Sequence, residues 1–147
     1  MSKFIQALLT GLFFTFILDG GLFIGVFINY IQHFDIPVYY NILFADNQCW
    51  LLFGVMTLFL GFVTIYLNRP KVAAIILGTL FSMASLALIP AIGQAVGSAM
   101  LMSEDETLMD DRYTYHGSIY YEGRSFYYFY DDELQKFITL DKKDLKK

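Results

Sequence analysis

Asp19 is the residue whose type and setting most invite chemistry. It stands alone as a carboxylate inside a long apolar run, residues 4–31, and is followed at once by Gly20 and Gly21. A charged carboxylate near the bilayer centre costs at least ~2.5–3.5 kcal/mol on insertion scales, so it must face other helices or water. Two roles fit. As a proton or cation site, Asp19 would line a path. As a structural group, it would accept hydrogen bonds that fix helix register, with Gln94 and Thr15 as the expected partners. No Lys, Arg or His shares the apolar runs with it, and a transport path usually carries more than one ionisable group.

The other reactive residue types are sparse. His33 and Asp35, with His116 from the tail, form the one conceivable metal set, but two histidines in separate segments are weak evidence. Loop histidines are the commoner reading, and no metal site is expected. The single cysteine, Cys49, excludes an internal disulfide and a cysteine metal cluster. It has no basic neighbour to activate it and packs beside Trp50. There is no G-x-S-x-G, no HExxH and no phosphate-cradling glycine loop. The expectation is a non-enzymatic protein without a cofactor.

Two glycine pairs at four-residue spacing, Gly21/Gly25 and Gly93/Gly97, are helix-packing candidates, because glycines so placed let two backbones approach closely. Ala91, Ala95 and Ala99 extend the second pair into a small-residue stripe. Packing within the subunit is the simpler reading. Packing against another copy or a different subunit is the alternative.

The elements that must hold these residues follow from composition. Of 147 residues, 56% are hydrophobic and only 16% charged, below the roughly 25% of soluble domains. The charges are segregated. Before Ser103 there are three acidic residues (Asp19, Asp35, Asp46) and three basic ones (Lys3, Arg69, Lys71), so the acidic tail supplies the net charge of −4. That tail is the reverse of the basic face nucleic acid requires.

Residues 4–31 are too long for the apolar core of a cleaved leader and lack a small-residue cleavage site. They are read as a retained helix of about 42 Å against a hydrocarbon core of ~30 Å, with Gly20-Gly21 as the place to bend. Residues 49–67 have the length of a second crossing. Residues 72–102 form a third, interrupted at Pro90. Residues 33–48 are too short and polar to span. Pro37 and the aromatic residues Tyr39, Tyr40 and Phe44 predict an interfacial loop or short helix, part of an aromatic belt with Tyr30, Phe34 and Trp50.

Lys3 and the Arg69/Lys71 turn place the amino terminus in the cytoplasm and the tail outside it. In the tail, residues 103–111 read as an acidic linker or helix start. Residues 118–121, 125–130 and 134–140 read as three short strands of a meander, with Glu122-Gly123 and Asp131-Asp132 as turns. So small a sheet is marginal alone and needs the membrane surface, the 33–48 loop or a partner to rest on.

The expected architecture is therefore an all-α integral membrane fold. Residues 1–102 form three transmembrane helices and residues 103–147 a small β-rich extracytoplasmic tail, a composition compatible with a bacterial inner membrane. The expected function is an accessory or assembly subunit of a larger membrane complex, with the lipid bilayer, other subunits or further copies as partners. A small ion-coupled transporter or channel-like oligomer using Asp19 is the first alternative. A membrane-resident immunity or sensing protein is the second.

Overall fold

The structure is a computed structural model and describes residues 2–110 and 112–146. Helix α1 spans Lys3–Val26 and opens with the Ser2 hydroxyl accepting from the Ile5 N–H at 3.3 Å, a standard N-cap contact. It runs without a break through Gly20 and Gly21. The irregularity in its hydrogen bonding comes six residues later, as a π turn over Phe27–Ile31.

Tyr40–Asn47 forms the short helix α2, lying at 86° to α3, Trp50–Ile65. Helix α4 (Pro70–Ser85) starts on a proline whose missing N–H costs nothing at the first turn. It tightens into a 3-10 turn at Leu86–Leu88 and stops before Pro90, where α5 (Pro90–Leu101) begins. Ile89 is extended (φ −76°, ψ 125°), the conformation a following proline imposes. The third apolar run is thus two helices with a hard joint.

Two helical stretches are long and apolar enough to cross a membrane, Lys3–Ile31 and Pro70–Leu88; the bent α2–α3 pair raises the number to three.

The acidic segment read as a linker is strand β1, Ser103–Asp110; residue 111 lies outside the described residues. Alternation of inward and outward side chains, rather than apolar character, makes it a strand. Its middle carries a bulge, with Asp105 at φ 55°. The three expected strands are present with shifted limits: β2 Thr114–Glu122, β3 Phe126–Asp131 and β4 Lys136–Asp141. A two-residue β5, Leu145–Lys146, completes the antiparallel order β4-β3-β2-β1-β5.

That order forces curvature. Laid flat, four strand intervals would separate β4 from β5 by ~19 Å, yet the four residues from Asp141 to Leu145 reach ~14 Å at most. The sheet must curl until its edges approach. Phe129, fully buried, and Ile119 fill the concave side.

The sheet does not stand apart from the helices. Tyr121 joins one buried cluster with Val26, Tyr30, Ile31, Ile36 and Leu43. The Tyr30 hydroxyl donates to the Tyr120 carbonyl at 2.9 Å, and the Tyr128 hydroxyl to the Phe34 carbonyl at 3.0 Å. The 33–48 segment is one of the supports the tail needed, and the π turn of α1 is another.

Candidate functional site

Asp19 does not meet Gln94 or Thr15. Its Oδ2 accepts from Gln48 Nε2 at 2.9 Å, and the two side chains are each half-buried. Gln48 is the first of the two residues between α2 and α3, where the chain turns through 86°. One residue along α1, the Gly20 carbonyl accepts from the Tyr40 hydroxyl at 3.0 Å, at the start of α2. Both ends of α2 are therefore stapled to the same turn of α1. Asp19 lies ~24 Å along the helix from Lys3, a little past the middle of the Lys3–Ile31 stretch.

Thr15 is fully buried along the ridge Ala7, Gly11, Thr15. Gln94 is half-buried on α5, and among the described residues no hydrogen bond joins it to Asp19.

The glycine candidates separate. A Cβ on Gly25 would lie 2.5 Å from the Ala87 backbone, one on Gly93 would strike the Ala87 carbonyl and lie 2.7 Å from Asn29, and one on Gly97 would enter the Tyr30 ring. Gly21 faces open space with nothing within 4 Å, so it packs against no helix within the subunit. All three close contacts gather where the π turn of α1, the 3-10 turn and α5 meet, within the subunit. The π turn has a visible use there. It aims Asn29 at the joint before Pro90, where Asn29 Nδ2 donates to the Ala87 carbonyl at 2.9 Å. Pro90 has no N–H to offer that stretch, and the asparagine side chain replaces it.

Sequence reasoning missed the tightest helix contact. A Cβ on Gly11 would overlap the Thr57 carbonyl, and one on Gly61 would overlap the Ala7 carbonyl. Ala7-x-x-x-Gly11-x-x-x-Thr15 on α1 and Thr57-x-x-x-Gly61 on α3 carry this signal, visible once Ala and Thr count as small.

At the outer end of α2 a second polar group forms. Arg124, in the β2–β3 turn, places Nε 2.9 Å from Asp46 Oδ2 and Nη2 2.5 Å from Oδ1. The guanidinium holds the Asp46 carboxyl below its usual 3.8, a charge-assisted fork. Beside it Lys142 Nζ meets Glu122 Oε1 at 2.6 Å.

The metal set is not assembled: His33 lies edge-on to Phe34 and His116 Nδ1 is 3.0 Å from Thr107 Oγ1. Among the described residues no three His, Cys, Asp or Glu side chains are grouped to hold a metal. Cys49 is free and exposed. No protein-family model, curated protein or solved structure matches this chain.

Proposed function

We propose that this chain is an integral membrane protein with three crossings that works as a non-enzymatic accessory or assembly subunit, taking a helix of a neighbouring subunit against α4. Lipid insertion is supported by the outward faces of α1 and α3, where Leu9, Phe13, Phe16, Leu51, Leu58 and Phe62 are all exposed. A soluble protein would not leave so large an apolar surface uncovered. The ends are also distinct. Lys3 and the Arg69-Lys71 turn lie at one end of the helices, and α2 and the sheet lie at the other. By the positive-inside rule the sheet then faces away from the cytoplasm.

The observation that carries the assembly role is α4. Only Ala73 and Ala84 are buried in it. Its outward side carries Ala74, Gly78 and Ser82 at four-residue spacing, all exposed, with nothing within 4 Å of a Cβ on Gly78. Lipid tails gain little from such a stripe, whereas a second helix gains close backbone contact. A photo-crosslinking residue at position 78, tested in native membranes with native mass measurement of the solubilised particle, decides the matter. A protein adduct and a heteromeric particle are expected. Lipid adducts alone, with a strictly monomeric and fully active particle, would overturn the reading.

A further inference from the structure

Between the end of α2, the last turn of α5 and the β2–β3 turn lies an open cleft of about 590 Å³, lined by Asp46, Asn47, Met100, Glu122, Arg124 and Lys142 among others. Its charges come in two opposed pairs, and neither pair is saturated. Arg124 uses Nε and Nη2 on Asp46, while a guanidinium has five donors. Its side chain is 72% exposed. The Lys142 ammonium has three donors; it meets Glu122 Oε1 and lies 4.6 Å above the Tyr127 ring. Glu122 is engaged through Oε1 by both Lys142 and Tyr127, and a carboxylate has a second oxygen to offer. One wall is apolar, made by Met100, itself 42% exposed, and Leu101. These two residues end α5, where the helical part gives way to the sheet.

We propose that this cleft binds the headgroup of a zwitterionic membrane lipid bearing a phosphodiester and a primary ammonium, the phosphoethanolamine class. The phosphate lies against Arg124 and Lys142, the ammonium against Asp46 and Glu122, and the glycerol end along Met100 and Leu101. Charge balance selects this class. A purely anionic headgroup would meet two carboxylates with no positive charge to offer them. A choline headgroup has no N–H for those carboxylates. Free phosphate would leave the carboxylates and the apolar wall unused. The assignment rests on the membrane reading above, which brings the cleft to headgroup level.

The test uses the full chain in detergent micelles with equal amounts of phosphatidylethanolamine, phosphatidylcholine and phosphatidylglycerol, with retained lipid read by native mass spectrometry. Phosphatidylethanolamine retention should exceed that of either other lipid about fivefold, the factor that ~1 kcal/mol for one added exposed ammonium–carboxylate pair corresponds to. Glu122→Gln should remove that preference, whereas Lys142→Gln should lower retention of all three lipids, which share the phosphate. Among the described residues the Lys142 ammonium meets Glu122 and the Tyr127 face, so its variant keeps the fold even if an Arg124 variant would loosen the sheet. Equal retention of the three lipids, or a Lys142→Gln protein that retains them as wild type does, overturns the proposal. Displacement by millimolar inorganic phosphate with no preference among lipids makes the site a free-phosphate site and also overturns it. Carbonate extraction of the cell membranes from which the chain is purified keeps the two readings apart. Protein that stays in the membrane without lipid preference sinks the headgroup site alone, whereas protein that washes off sinks the membrane reading beneath it.

Discussion

Gly11 and Gly21 sit ten residues apart on one helix and do opposite things. A side chain at Gly11 must displace the α3 backbone at Thr57, whereas a side chain at Gly21 enters open space. Gly11→Val should destabilise the protein by about 1–3 kcal/mol, the usual cost of overpacking. Gly21→Ala should leave it unchanged or slightly raised, since alanine favours helix over glycine. Thermal melts in one detergent compare the two directly, and equal melting points would deny the α1–α3 contact. Asp19 makes a similar discrimination. Its contact is a single hydrogen bond to Gln48 beside the 86° corner, a structural duty that asparagine's side-chain oxygen can also perform. Asp19→Asn in reconstituted vesicles should therefore leave proton and cation flux as in wild type. A lost flux would revive the transport alternative.

At the scale of elements, α2 is the piece that ties the two halves together. Tyr40 and Gln48 fasten it to α1, and Asp46 fastens it to the sheet through Arg124. The ion pair is exposed and its contribution modest, but its pH dependence has a definite sign. Arg124 depresses the Asp46 carboxyl from 3.8. Its stabilisation is thus complete above that value and is lost as pH falls through the lower, folded value. Hydrogen exchange across residues 40–48 should separate wild type from Arg124→Gln at neutral pH. The two should converge once the medium is acid enough to protonate Asp46. A gap that persists in acid would show that the pair does not anchor the helix.

Element boundaries also mark what the sequence could and could not say. The long apolar runs and the aromatic strands were legible because each follows one repeating local pattern, and the loop or short helix expected within 33–48 is the helix Tyr40–Asn47. Strand β1 was not, because SEDETLMD is acidic and its alternation appears only once Leu108 and Tyr115 are paired. Gln48 was missed as Asp19's partner for the same kind of reason. Twenty-nine residues separate them, and only the corner after α2 brings them together. The third run's break was legible at Pro90, whereas the π turn that serves it has no proline or glycine of its own to announce it.

For the whole molecule, Cys49 offers a convenient check. It is the one cysteine, it is exposed, and it stands at the α2–α3 corner on the sheet's end of the helices. A membrane-impermeant maleimide added to intact spheroplasts should label it without prior lysis. Labelling that requires broken membranes would reverse the proposed orientation, and with it the placement of the lipid cleft.

Only Met102 separates the last residue of α5 from the first of β1. A joint that short gives no swivel, and Tyr30, Tyr128 and Arg124 clamp the sheet at three further places. The sheet therefore behaves as a handle rather than a tethered flag. Paired spin labels, one on β3 and one on α5, should tumble with a single correlation time. Any tilt that a neighbour imposes on α5 within the bilayer should reappear, undamped, as a rocking of the strands above it.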